Sequence, residues 1–210
     1  MDLANFVLFF LAAVAIAVSP GPGIFYVVAR TLSGGRAEGL ASSVGTGLGG
    51  LVHVLAGAVG VSALVLASAE AFTVLKILGA VYLVWVGLKT MRAARIDLDL
   101  RAEPAGARRA FREGIVVEAL NPKTAAFFLA FLPQFVDPAA GPVWLQFLLL
   151  GLVSVILNTT VDVAVAVMAS RARSMAAARP SLLQQLRQGA GLAIASLGLA
   201  LLFARRPAAL

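Results

Sequence analysis

The chain has 210 residues, of which 60% are hydrophobic and only 13% charged, whereas a soluble domain is nearer half apolar and a quarter charged. A single soluble core of this size could not bury such a surplus, because small domains keep much of their surface exposed. The formal charge is +7 and cysteine is absent. The composition therefore excludes an ordinary soluble globule and, for want of cysteine, disulfides, thiolate metal sites and cysteine nucleophiles.

A helix needs about 20 apolar residues to cross the hydrocarbon core of a bilayer. Six stretches predict an all-α, polytopic membrane protein that forms one transmembrane domain over residues 1–210. Their approximate limits are 3–29, 40–68, 71–91, 112–136, 143–170 and 188–204. The first is too long for a signal-peptide core, and we expect it to be retained. The sixth is short, and we expect it to span, with a re-entrant helix as the alternative.

The positive charge is concentrated in alternate connectors, those after the first, third and fifth stretches. The positive-inside rule places these basic connectors in the cytoplasm and both termini outside it; Arg205 and Arg206 depart from the pattern. Nucleic-acid binding is disfavoured, because the basic residues lie in short connectors that mostly lack stacking aromatics.

A polar connector over about residues 92–111 divides the chain into halves of about 1–95 and 112–210, with three stretches each. Halves of three spans cross the membrane in opposite senses, so any likeness between them is that of an inverted repeat. Each half opens with a stretch broken by proline. The two breaks are Ser19-Pro20-Gly21-Pro22-Gly23 and Asn121-Pro122-Lys123. Broken helices at matching positions of two halves indicate a transporter binding site.

The breaks carry groups suited to a small zwitterion. Proline disrupts the helix, and in hydrocarbon the freed carbonyls persist only where they pack on protein or line a wet cavity. Half-helix amides from Gly23 onward suit a carboxylate, Asn121 can cap the following half-helix, and Lys123 lies too deep to be an ordinary lipid-facing residue. The substrate-binding candidates are Ser19, Pro20, Gly21, Pro22, Gly23, Asn121, Pro122 and Lys123. The alternatives are simple packing kinks for the prolines and snorkelling for Lys123.

Four further polar residues inside the apolar stretches are candidates for proton coupling, because intramembrane ionisable groups are usually functional. They are His53, Glu118, Asn158 and Asp162. His53 has an equally good alternative, a packed ring bonded to a backbone carbonyl. Small residues on one helix face allow close backbone approach. The predicted packing positions are Gly45, Gly49 and Gly57, serving either a homodimer or an internal contact.

These motifs resemble the LysE/RhtB family of amino-acid exporters nearly end to end. The resemblance rests on Ser19–Gly23, the Gly45/Gly49/His53 face, the run Leu75–Gly87, Asn121–Lys123 with Phe127 and Phe128, and Leu132–Phe135. It implies a small bacterial inner-membrane protein that exports amino acids under the proton gradient. Some relatives have an aspartate where this chain has Asn158, and Asp162, one turn on, is a possible substitute. The second stretch lacks an acid, which favours neutral substrates.

The leading hypothesis is a secondary exporter whose partners are a small-molecule substrate and the lipid bilayer, with no cofactor. No nucleotide-binding loop, His-Glu-x-x-His or Gly-x-Ser-x-Gly motif is present, so enzymatic function is not predicted. Two alternatives remain at this stage: an exporter of metals or other inorganic cations, for which the ligand supply is poor, and a membrane protein that only packs against other proteins.

Overall fold

The computed structural model describes residues 3–67 and 104–171, with isolated helical positions at 70, 73, 74, 77, 78, 80–82, 84, 85, 88, 192, 196 and 199. All secondary-structure elements in these ranges are helical, which confirms the predicted fold class. Most of the third and sixth predicted stretches, the connector over 92–103 and both termini lie outside the described residues. The number of spans and the inverted relation of the halves stay predictions.

The first predicted stretch is broken where the proline cluster lies. Helix α1 covers Leu3–Val18, and helix α2 begins at Pro22 and runs to Ala67. Proline is well placed at the start of α2, because its missing N–H is one that the first helical turn leaves without a partner. The segment Ser19–Gly21 between the helices is therefore the predicted interruption.

Helix α2 is a hairpin of two arms and not a single rod. Gly35 has φ 79° and ψ −170°, a backbone conformation that residues with a Cβ rarely adopt. A Cβ added to Gly23 and one added to Gly49 would each lie within 4 Å of Glu118, although 26 residues of straight helix would separate the two glycines by about 39 Å. The chain therefore reverses at Gly35, which is where the first two predicted stretches divide.

The second half repeats the pattern of a helix, a break and a new helix. Helix α3 covers Ala107–Ala119, α4 covers Pro122–Ala126, and α5 covers Val143–Arg171. Between α4 and α5 lie a π-helical turn, Phe127–Phe131, and two 3₁₀ turns, Leu132–Phe135 and Pro138–Ala140. Helix α3 starts five residues before the predicted stretch, because hydrophobicity marks where a helix enters the bilayer and not where it begins.

Backbones approach closely where the second arm of α2 crosses α3. A Cβ added to Gly45 would overlap the carbonyl of Phe111, and one added to Gly49 would overlap that of Ile115. Gly114 of α3 faces Ser42 in return, 2.8 Å from that residue's carbonyl by the same construction. Within this chain the glycine face is thus an internal contact between the halves. Gly57 lies further along α2, against the ring of Phe147.

The core is rich in aromatic residues, and the outer surface is apolar. Phe9, Phe127, Phe128 and Phe147 are almost fully buried. Phe128 packs edge-on against Phe127 and in a tilted pair against Phe147, with 6.2 Å between the latter ring centroids. The outer faces of α1, α2 and α5 expose large apolar side chains instead, among them Leu3, Val59 and Met168. An exposed apolar surface of this extent suits lipid and not water.

Among the described helices, Pro22–Gly60 and Val143–Arg171 are long and apolar enough to cross a membrane. The pair Ala107–Ala119 and Pro122–Phe135, bent by 41°, adds a third if it counts as one span. Because α2 reverses at Gly35, its 39 residues from Pro22 to Gly60 are two antiparallel arms.

Candidate functional site

The two helix breaks meet, and Lys123 joins them. Its ammonium nitrogen donates to the carbonyl of Ser19 at 2.8 Å and to that of Ile16 at 3.0 Å. These carbonyls end α1, where the helix dipole favours a positive charge. Gly21 leaves room for the lysine stem, since a Cβ there would lie 3.2 Å from Lys123 Cε. Lys123 is 4% exposed, so it does not snorkel and instead satisfies carbonyls freed by the break.

Asn121 and Glu118 organise the second break. The Asn121 side chain accepts from the Lys123 N–H at 3.1 Å, which caps α4 as predicted for this position. The Asn121 amide also donates to Glu118 at 2.8 Å, and the Thr124 hydroxyl donates to the other oxygen of Glu118 at 2.6 Å. Both oxygens of this buried carboxylate are therefore hydrogen-bonded across the gap between α3 and α4. Gly23 packs against the same carboxylate from the first half.

His53 lies beside this break in the packed arrangement that we named as its alternative. Nε2 is 2.8 Å from the backbone oxygen of Glu118, and since a carbonyl can only accept, Nε2 carries the proton. The ring stacks on Phe128 with 6.0 Å between centroids and 24° between planes. The half-buried imidazole therefore bridges α2 to the carbonyl end of α3.

A cleft opens where α1, the second arm of α2, the α3–α4 break and α5 converge. It holds about 380 Å³ of space between atoms, but the centre of a water molecule fits into only about 20 Å³ of it, which is room for one or two waters. In this conformation the cleft is closed to anything larger. Its lining residues are Ala13, Ile16, Ala17, Thr46, Gly47, Gly50, Glu118, Thr124, Phe127, Phe128, Ser154, Val155 and Asn158.

A second buried carboxylate stands next to the cleft. Asp162 of α5 is fully buried and accepts from the Thr46 hydroxyl at 2.8 Å. Thr46 is itself a lining residue, so one hydroxyl separates the acid from the cleft. The Asp162 Oδ1 atom has no hydrogen-bond partner among the described residues. A buried carboxylate oxygen without a donor is costly unless a proton, a cation or water is supplied.

A polar cluster ties the first arm of α2 to α3, between the cleft and the Gly35 turn. Arg30 forms an ion pair with Glu113, and Arg109 donates to the other oxygen of Glu113 at 2.7 Å. The Tyr26 hydroxyl donates to the Ala110 carbonyl at 2.7 Å and lies 3.2 Å from Glu113. This cluster lies in the first turns of α3, where the polar connector ends.

The structure thus brings most of the predicted residues to one junction, though in different settings. Ser19, Gly21 and Gly23 are buried at the first break, Pro20 is half-buried and Pro22 is exposed. Pro122 is exposed at the start of α4. Glu118 and Asn158 line the cleft, whereas the proline cluster itself does not. Asp162 lies behind Thr46.

Sequence reasoning did not identify Thr46, Thr124 or Ser154 as cleft residues, nor Tyr26 and Glu113 as a cross-half cluster. A helical threonine or serine ordinarily bonds to its own preceding turn, as Ser154 does to Leu150. Position alone therefore did not distinguish these hydroxyls. The available signal was Glu113, an acid at the start of the fourth stretch that follows Arg109 and Arg112 closely.

Helices with lipid-like outer faces, two of them broken around a buried polar cleft, define a membrane transport protein of the secondary-transporter kind. The family model for LysE type translocators matches residues 14–205. The chain belongs to that family.

Curated relatives cover most of the chain. A homoserine/homoserine lactone efflux protein of Salmonella typhimurium is 34% identical over 166 residues, 78% of this chain and 79% of the relative. A leucine efflux protein of Klebsiella pneumoniae is 30% identical over 152 residues, 70% of this chain and 71% of the relative. An uncharacterized membrane protein of Vibrio cholerae is 33% identical over 162 residues, 77% and 78% respectively. No solved structure matches.

Proposed function

We propose that this translocator exports a small neutral amino acid, or a close derivative, from the cytoplasm across the bacterial inner membrane. The observation that carries the proposal is the buried polar cleft at the junction of the two broken helices. Secondary transporters place substrate sites at such junctions, because unwound backbone and helix ends supply polar groups inside the membrane.

The chemistry of the cleft suits a neutral amino acid. Glu118 offers a carboxylate to an ammonium group, and the hydroxyls of Thr46, Thr124 and Ser154 offer further hydrogen bonds. The rest of the wall is apolar, with Phe127 and Phe128 on one side. The relatives named as leucine and homoserine efflux proteins support a substrate with a small side chain, either apolar or hydroxylated.

The proton gradient is the proposed energy source, and Asp162 is the proposed proton carrier. Its unpartnered oxygen next to a cleft-lining hydroxyl suits a group that is protonated in one stage of the cycle. Glu118 accepts a hydrogen bond on each oxygen, so it lacks the open acceptor that distinguishes Asp162. His53 is a weaker candidate, because its Nε2 proton is held by a backbone carbonyl.

The cluster of Tyr26, Arg30 and Glu113 is the proposed cytoplasmic gate. It bridges the two halves on the side of the cleft that the basic connectors assign to the cytoplasm. Since the closed cleft admits about a water or two, substrate entry requires these contacts to separate.

Counterflow in proteoliposomes tests the proposal directly. Vesicles loaded with unlabelled leucine or homoserine should accumulate the labelled compound, and a proton gradient should drive net movement. Glu118→Gln should abolish counterflow, while Thr160→Val, which changes an exposed hydroxyl on α5, should transport like the unmodified protein.

Two outcomes would replace the proposal. Movement of a labelled metal ion without movement of any amino acid would support the cation-exporter alternative. Absence of transport and of ligand-dependent stabilisation across a full amino-acid panel would support a packing role.

A further inference from the structure

The carbonyls of Ile16 and Ser19 hold an ammonium group inside the membrane, and that group belongs to the protein itself. Lys123 reaches them from the other half of the chain, with both hydrogen bonds at 3.0 Å or less. Ile16 and Ala17 also line the cleft, as do Glu118 and Thr124 on the side from which the lysine comes. Of the two carbonyl-bearing residues, Ile16 lines the cleft and Ser19 lies just beyond it at the end of α1.

We infer that these two carbonyls form the ammonium subsite of the transporter, and that Lys123 occupies it as a tethered stand-in while no substrate is bound. This inference rests on the proposed function and specifies which protein groups bind the amino group and the carboxylate of the substrate. The amino group of an entering zwitterion displaces the lysine from the carbonyls. The released Lys123 ammonium then pairs with the carboxylate of the substrate.

The exchange leaves the polar groups that take part in it hydrogen-bonded. Carbonyls at a helix break are costly in hydrocarbon without a donor. In the substrate-free protein Lys123 donates to both, and the Ser19 N–H also donates to the Ile16 carbonyl at 3.2 Å. After exchange, the substrate ammonium replaces the lysine as donor, and the displaced lysine meets a carboxylate that would otherwise enter without a cationic partner. No proton or covalent bond is transferred in this step; one ammonium replaces another.

The missing side chain at Gly21 removes one obstacle to the movement. Gly21 flanks the stem, with a hypothetical Cβ 3.2 to 3.3 Å from Lys123 Cε, Cδ and Nζ. Any side chain at this position would confine the lysine to its present place. The lysine side chain is held by its two bonds to the Ile16 and Ser19 carbonyls, which the exchange breaks. The backbone N–H of Lys123 is held separately by the Asn121 cap, so the side chain can leave while α4 stays in place.

The inference predicts a change in selectivity and not merely a loss of binding. The purified protein in detergent is titrated with leucine, with isoamylamine, which lacks the carboxylate, and with isocaproate, which lacks the amine; thermal stabilisation and calorimetry report affinity. The unmodified protein should bind leucine at least tenfold more tightly than either fragment. Where homoserine is the better ligand, its decarboxylated analogue propanolamine replaces isoamylamine.

Lys123→Met vacates the subsite and removes the carboxylate partner. It should lose at least tenfold in affinity for leucine while binding isoamylamine as well as, or better than, the unmodified protein. Lys123→Gln keeps a hydrogen-bond donor for the carbonyls and serves as the second variant if Lys123→Met does not fold. It should also reduce the ratio of leucine affinity to isoamylamine affinity.

Equal weakening of leucine and amine binding in these variants would overturn the inference, because a residue that only braces the break would affect both ligands alike. An unchanged preference for leucine would overturn it too. Failure of the unmodified protein to bind any amino acid would instead refute the proposed function, so the two failures are distinguishable.

Discussion

Two substitutions of Glu118 can separate its structural role from its proposed role in transport. In the structural role, its two oxygens connect the helices on either side of the second break. Replacing it with alanine leaves the Asn121 amide and the Thr124 hydroxyl as buried donors without their acceptor. Each such loss costs about 1–3 kcal/mol. Glu118→Ala should therefore lower the free energy of unfolding by about 2–6 kcal/mol, a large part of the stability of a small protein.

Glu118→Gln has the same shape and can keep both contacts. Its carbonyl accepts from Asn121, and its amide donates to the Thr124 hydroxyl, which can rotate to accept. The free energy of unfolding should then stay within about 1.5 kcal/mol of the unmodified value, since only the strength of the bonds changes. Transport should nevertheless be lost in both variants, because neither offers a carboxylate to the substrate.

Thermal and detergent unfolding of the purified variants, with counterflow on the same preparations, measures both quantities. The reasoning about the break fails if the alanine variant is as stable as the glutamine variant. The reasoning about the substrate fails if the glutamine variant transports normally.

Three further predictions concern the contacts between the halves. Gly45→Ala should destabilise the protein by about 1–3 kcal/mol, because the added methyl overlaps the backbone of α3. Gly60→Ala, whose added Cβ meets none of the described residues within 4 Å, should be neutral or slightly stabilising in unfolding experiments. Asp162→Asn should retain counterflow but lose at least tenfold of the net efflux driven by a proton gradient; full retention of coupling would remove Asp162 from the mechanism. Arg30→Glu and Glu113→Arg should each reduce transport severalfold, and the variant that carries both changes should recover part of the lost transport. The free energy of unfolding should change by no more than about 1 kcal/mol in any of these variants, because the ion pair is partly solvent-exposed.

The sequence was sufficient to predict the helical membrane fold and both breaks, because proline, glycine and buried charge leave strong local signals. Hydrophobicity likewise located α5 to within a residue of its end at Arg171. The depth of Lys123 was predicted from the same signals. Its partners were not, since nothing local indicates that its ammonium turns back to carbonyls more than a hundred positions earlier in the chain.

The contacts between the halves depend on tertiary geometry that residue patterns do not encode. The reversal requires one residue with a positive φ angle. The sequence offers two adjacent glycines, Gly34 and Gly35, and does not indicate that Gly35 is the one that adopts it. Thr46 reaches Asp162 only because the second arm of α2 lies beside α5. His53 illustrates the limit well: its type allowed proton transfer or packing, and only the position of the Glu118 carbonyl shows which contact it makes.

The breaks are costly features that compensate for each other. Each proline-containing gap frees backbone groups that a continuous helix would satisfy, and the groups that answer them come from across the junction: Lys123 for the carbonyls of α1, and the His53 ring for the carbonyl of Glu118. The halves are therefore held together at the cleft by hydrogen bonds that a zwitterion can also make. On the proposed exchange, a substrate that competes for these bonds loosens the junction it enters, so that binding favours separation of the halves.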